Sequence, residues 1–407
     1  MIWSRRSLVF WYYVINERNL INILVNANHE KNTGIYIHIP FCVKKCAYCD
    51  FYSITDLEII PSFVQSLVRE VKMVDAPVSD VDTIYIGGGT PSLLNPENIG
   101  CLIDTICNRF CVISASEITM EVNPGTVTPE KFAGYRKAGV NRINIGVQSF
   151  SDQSLDFLSR IHTADDAVCC IKDARRAGFE NIGLDLIYGL PEQTEKTWRF
   201  DLESALKFTP QHLSCYMLTY EPDTPMTMDL MYKRFKALSE GKTGALFDFT
   251  ARFLEENGYL QYEVSNFASS IKTRSSHNQK YWSNVPYIGL GPSAHSFIDN
   301  CRSWNVRSVN KYMQRIQAGQ RPVAETEILD TKQQMMEVIY LRLRCVEGIC
   351  MADFETRFDV CFNQSFGHVV DLFESKRFIK IVDGHCRLTS SGMRFSDSIA
   401  ARFIEEI

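Results

Sequence analysis

A chain of 407 residues with 45% hydrophobic and 22% charged residues has room for a large core and about two domains. A net charge of −5 argues against a broad nucleic-acid surface. The 14 cysteines are mostly scattered, with Cys169 and Cys170 adjacent in a helical pattern, which fits a reducing compartment such as the cytoplasm better than a disulfide framework.

Residues 1–33 stand apart. The apolar run 8–15 is too short to span a bilayer, and no small-residue cleavage site comes after it despite Arg5 and Arg6. The next stretch is polar and asparagine-rich, so a poorly ordered extension is expected. From residue 34, strand-like and helix-like stretches alternate. Strands are predicted over 34–39, 81–86, 117–122, 142–147, 181–187 and 212–218, and helices over 60–74, 96–109, 129–138, 165–177 and 194–208. The first helix shows the logic: Pro61 at its start, then Phe63, Leu67, Val68 and Val71 at helical spacing. Gly139, Gly178 and Pro210 close later helices. Six strands alternating with helices predict a parallel sheet, short of the eight strands of a closed barrel.

The chemistry-bearing words fall at strand C-terminal ends. They are Cys42, Cys46 and Cys49 in C-x3-C-x2-C, GGGT at 87–90, Glu121, Gln148 and Asp185. Barrel enzymes build their sites on that face, so one pocket is expected to collect them. A cubane iron–sulfur cluster normally takes four thiolates, so three leave one iron open to a small molecule. A structural zinc site would need a fourth ligand from elsewhere, and three buried free thiols are the other alternative. His38 is close by, but its direction is open.

The cysteine spacing after a first strand, with Tyr48 before the last cysteine, resembles the radical S-adenosylmethionine (SAM) superfamily. YIHIPFC, GGGTPS, EVNPG, GVQSF and DLIYGLP are similar to the oxygen-independent coproporphyrinogen oxidase family. The resemblance implies an α/β fold: a partial (β/α)6 TIM-like barrel carrying a [4Fe-4S] cluster on Cys42, Cys46 and Cys49, whose open iron chelates SAM. It implies that SAM is held by Tyr36, by Gly88, Gly89 and Thr90 of the glycine turn, and by Glu121, Gln148, Arg160 and Asp185. Glu121 and Arg160 suit the zwitterionic methionyl end, and Gln148 and Asp185 can hydrogen-bond hydroxyls. On the residues alone, Arg160 in LSRIH is also open to a surface role.

That family has a dehydrogenase branch and a haem-chaperone branch. The dehydrogenase carries a fourth cysteine two positions after the third, where this chain has Phe51. The words GYLQYEVSNF (258–267) and HNQKYW (277–282) resemble the chaperone branch, in which the latter is associated with haem binding. The resemblance makes His277 an iron ligand and Tyr281 and Trp282 flat faces for a porphyrin. On the residues alone, a packed aromatic corner around a satisfied core histidine fits better. His295, in GLGPSAH, is a lesser ligand candidate. The resemblance thus implies a haem chaperone that binds SAM and a [4Fe-4S] cluster and hands haem to haem-requiring proteins such as respiratory-chain subunits. The reading leaves room for transient membrane association and a homodimer, and gives no role to nucleic acid. The alternative is an oxygen-independent coproporphyrinogen III dehydrogenase, and a radical enzyme with another substrate stays open.

The expected organisation is an extension over 1–33, the barrel over 34–250, a haem- or substrate-proximal part over 251–321, and a C-terminal α+β, winged-helix-like domain over 322–407. Within the last, 322–331 reads as a linker. Helices come next over 332–344, 352–357 and 367–374, then a hairpin over 378–388 turning at Asp383-Gly384, then a helix over 390–405. No dense Lys/Arg stripe marks it as a DNA reader, so packing or protein docking is the expected role.

Overall fold

The computed structural model describes residues 32–75, 78 and 80–407. The extension expected over 1–33, with its apolar run, lies outside the described residues except for its last two positions. Six strands pair in parallel and in chain order: β1 (Thr33–Ile39), β2 (Val81–Gly88), β3 (Val112–Val122), β4 (Arg142–Gln148), β5 (Asn181–Tyr188) and β6 (His212–Met217). The helices Ile60–Met73, Pro96–Arg109, Pro129–Lys137, Ala164–Arg176 and Glu195–Leu206 make the crossovers. Side chains alternate across a strand, and the two sets differ sharply here. Ile35, Ile37 and Ile39, Ile84 and Ile86, and Ile143, Ile145 and Val147 are buried in the main core. The alternate set is polar and joins across strands: Tyr85 to Glu121, and Asn144 to Asp185. Asn95, Thr128, Thr163 and Thr194 cap four of the helices, each side chain accepting a backbone N–H, worth about 1 kcal/mol apiece.

The sheet does not stop at six. The chain continues through β7 (Leu260–Gln261), β8 (Asn266–Ala268), β9 (Tyr287–Leu290), β10 (His295–Ile298), β11 (Cys301–Asn305) and β12 (Val323–Ile328). The order is β12-β11-β10-β9-β1-β2-β3-β4-β5-β6-β8-β7. β9 lies parallel to β1 on the side away from β2, and antiparallel β10 to β12 extend that edge. Residues 322–331 are therefore no linker, because β12 pairs with β11 over most of that stretch. Its sequence VAETEI is an edge strand carrying charge, which hides the hydrophobic pattern of a strand and guards an open edge. The helix Glu240–Glu256 runs across the boundary expected at 250.

The C-terminal part has its own core around Ile339, Phe354, Phe362, Phe366 and Phe403. The helices Thr331–Leu343, Met351–Phe358 and Phe362–Ser375 pack with a small sheet of β13 (Ile349–Cys350), β14 (Ile379–Val382) and β15 (His385–Leu388). Asp383 and Gly384 turn the hairpin with φ of 51° and 73°, as a two-residue turn with both φ positive requires. The helix expected over 390–405 is two, Ser390–Met393 and Ser396–Ile404. The break is at Phe395 (φ −118°), whose ring packs on Phe378 at 5.0 Å.

Candidate functional site

After β1 the chain turns at Pro40 into the cysteine loop. Cys42 N–H donates to Ile54 O (2.9 Å) and Ile54 N–H donates to Pro40 O (2.8 Å), so the loop is closed at its base. The three thiols are half-buried. Thr90 Oγ1 donates to Cys42 Sγ and Arg160 Nη1 to Cys46 Sγ, both at 3.5 Å. Burial pushes the Cys49 thiol up to about 11. Two sulfurs thus face donors suited to thiolates. Among the described residues no three His, Cys, Asp or Glu side chains are gathered closely enough to hold a single metal ion. Thiols that grip separate irons of a cubane have no need to be. His38 is not a spare ligand either: its Nε2 donates to Tyr52 O (2.9 Å), leaving Nδ1 to accept from Tyr36 O–H (3.0 Å).

The glycine turn packs against this loop. A Cβ on Gly89 would lie 2.7 Å from Phe41 O, and one on Gly88, at φ 109°, would lie 2.5 Å from the His38 ring. Glu121 accepts from Gly88 N–H (3.1 Å) and Tyr85 O–H (2.8 Å). Burial, with Asp185 nearby, holds its carboxyl up to about 7. Arg160 reaches across the mouth to Gly146 O (2.9 Å), Tyr48 O–H (3.4 Å) and Asn123 Oδ1, and Asn123 Nδ2 donates to Thr90 Oγ1 (2.9 Å). This chain of contacts rules out a surface role for Arg160. Asp185 Oδ2 accepts from Asn144 (2.6 Å), while Oδ1 is buried without a partner. Gln148 ends β4 at a register shift with φ 67°, a left-handed conformation unusual in a non-glycine.

The HNQKYW word forms the short helix Ser276–Trp282, capped by Ser275, with His277 against Thr83 near the start of β2 and Tyr281 on the cavity beside the cysteine loop. His277 is 1% exposed. Its Nδ1 is bonded to Thr83 Oγ1 and its Nε2 to Tyr281 O–H, both at 2.9 Å. Burial first, and Lys280 second, hold its pKa down at about 3. The ring sits against Gly34, where a Cβ would come within 3.1 Å of it. Trp282 turns toward the C-terminal part, with the Arg344 guanidinium 5.4 Å from its ring. His277 and Trp282 thus stand in packing positions in this structure. GYLQYEVSNF is likewise a seam: Tyr262 O–H meets His212 Nε2 (2.7 Å), and Val264 N–H donates to Arg344 O (3.0 Å).

Residues 36–205 match the radical SAM superfamily, and residues 329–395 match the HemN C-terminal domain. The Bacillus subtilis protein named heme chaperone HemW is 34% identical over 91% of this chain and 99% of its own length. The Escherichia coli protein of the same name is 35% identical over 92% of this chain and 98% of its own length. The chain belongs to the HemW family of radical SAM proteins. The solved structure of Escherichia coli coproporphyrinogen III oxidase (HemN) shares its fold, with a TM-score of 0.80 over 93% of this chain and 91% of that one, at 23% identity.

Within this HemW-family chain, the structure brings Tyr36, the glycine turn, Glu121, Gln148, Arg160 and Asp185 to one interior beside the cysteines. Sequence reasoning missed Asn123 and Tyr85, which tie those residues together. Asn123 is marked by its place in EVNPG, while Tyr85 could be found only from the inward parity of β2.

Proposed function

We propose that the protein is a haem chaperone that binds SAM and a [4Fe-4S] cluster and delivers haem to haem-requiring proteins such as respiratory-chain subunits, in the cytoplasm. The observation that carries this reading is identity of 34–35% with proteins named heme chaperone over nine-tenths of the chain. The residues fit both groups. Cys42, Cys46 and Cys49 would hold the cluster, whose open iron supplies a seat for the amino and carboxylate groups of SAM and an electron for its cleavage. Glu121, which titrates near neutrality, would ionise fully against the SAM ammonium. The unpartnered Oδ1 of Asp185 would accept from a ligand hydroxyl. Arg160 keeps a positive charge beside Cys46, and the rings of Tyr36 and Tyr85 stack at 6.2 Å in the same interior.

Phe51 separates this reading from the dehydrogenase. It stands where that branch has its fourth cysteine. The test is anaerobic reconstitution of the full chain, with iron and sulfide counts, haemin titration, and an assay with SAM and coproporphyrinogen III. Stoichiometric haemin binding without protoporphyrinogen formation is the expected result. Sustained protoporphyrinogen production without haemin binding would overturn it.

A further inference from the structure

A cavity of about 410 Å³ opens between the cysteine loop and the corner joining β9 to β10. That falls within the roughly 300–1,000 Å³ typical of organic-ligand sites. Phe51, Tyr281 and Tyr287 give it aromatic walls, and Phe51 is 69% exposed at the rim. Arg307 adds a cation, its guanidinium lying 5.4 Å from the Tyr52 ring centre, and Asp50 adds an acid. His295 also lines the cavity, as do Tyr36 and His38, so the cavity borders the interior that holds the SAM candidates. His295 is exposed, its ring stacks on Trp304 at 5.7 Å, and among the described residues neither ring nitrogen is hydrogen-bonded.

We propose that this cavity is the haem pocket: His295 is the axial ligand to iron, Arg307 pairs with a propionate, and Phe51, Tyr281 and Tyr287 lie against the porphyrin. The assignment rests on the haem-chaperone reading above and names its site. It gives HNQKYW a place without making His277 a ligand. Tyr281 lines the pocket, and His277 holds the Tyr281 hydroxyl from behind at 2.9 Å, which makes His277 a positioning residue. It also gives Phe51 a reason. The side chain at the position of the absent fourth cysteine forms the apolar rim, so haem pocket and cysteine loop share a wall. Asp50 repels carboxylates from its own side and directs the propionates toward Arg307.

The test titrates haemin into the reconstituted full chain, reading the Soret band and the ligand-field spectrum. His295→Ala is expected to weaken binding by about tenfold or more and to abolish the histidine-ligated spectrum, with added imidazole restoring it. Arg307→Glu weakens binding without moving the band. His277→Ala lowers affinity while leaving the wild-type band position. SAM binding retained by His295→Ala shows that the fold is intact. Wild-type affinity and band in His295→Ala, or loss of the histidine signature in His277→Ala alone, overturns the pocket assignment and leaves the chaperone reading standing. Failure of the wild type to bind haemin overturns that reading itself.

Discussion

His277 and His295 flank β9 and live under opposite physics. Below the barrel, His277 is sealed between Thr83 and Tyr281, with its ring stacked on Tyr85 at 5.2 Å. Beside the cysteine loop, His295 has one face on Trp304 and the other open to a cavity. A ligand to iron must offer a lone pair to open space. A core histidine must spend both nitrogens, because an unpaired buried polar atom costs about 1–3 kcal/mol. The first histidine meets the second requirement and fails the first, and its neighbour does the reverse. Membership of a chemically suggestive word therefore says less than the state of the two nitrogens.

The comparison breaks most readily at the base of the barrel. Lys280, one turn along from His277, forms an ion pair with Asp82 at 2.7 Å, and both side chains are nearly fully buried. Lys280→Met leaves a buried carboxylate without its cation and is expected to cost about 3–5 kcal/mol in urea denaturation. Asp82→Asn combined with Lys280→Met should recover a good part of that loss. If the single variant unfolds within about 1 kcal/mol of wild type, the helix is not a structural plug and His277 returns as a ligand candidate.

The sequence made the barrel legible because its strands carry two signals at once. Ile143, Ile145 and Val147 repeat with a period of two, and Pro61, Gly139, Gly178 and Pro210 mark where helices between strands begin or end. Convergence of the strand-end words was legible for the same reason, since parallel strands present all their C-terminal ends to one side. The two roles of the histidines were not, because burial is decided by β9, which slots beside β1 from more than 240 residues along the chain. Strand β12 hid behind its charges. The helix Glu240–Glu256 hid behind Gly241 and Gly244, although Leu246, Phe249, Phe253 and Leu254 keep helical spacing. The left-handed Gln148 leaves no mark in composition at all.

Acid sharpens the comparison. His277 titrates at about 3 in the fold against 6.5 when unperturbed, so below pH 6.5 the unfolded chain takes a proton that the folded chain refuses. The stability from its neutral burial is complete above pH 6.5 and is lost as pH falls toward 3, at no more than about 1.4 kcal/mol per pH unit. Glu70 runs the other way. Burial holds it up to about 7 despite bonds from Tyr312, Gly291 and Asn305, so its contribution is full below pH 4.5 and fades as pH rises through 7. Comparing wild type with His277→Gln cancels Glu70. The stability gap between the two should shrink by about 2 kcal/mol between pH 6.5 and 4.5. A constant gap would mean that His277 is not buried neutral.

The smallest effect is the most discriminating. The His295 side chain makes no hydrogen bond among the described residues and the residue is exposed, so His295→Ala should unfold within about 0.5 kcal/mol of wild type. The stack on Trp304 is the contact at risk, and a single exposed ring pair is worth little beyond that. The same substitution is the one expected to change haemin affinity most. His277→Ala should do the reverse: it strands the hydroxyls of Thr83 and Tyr281 and opens a cavity, so stability falls by about 2–4 kcal/mol while the iron keeps its ligand. A histidine whose removal changes stability without changing the spectrum belongs to the fold, and one that changes the spectrum without changing stability belongs to the ligand. If both variants moved stability and spectrum together, plug and pocket would be one coupled unit, and the division drawn between these two regions would be wrong.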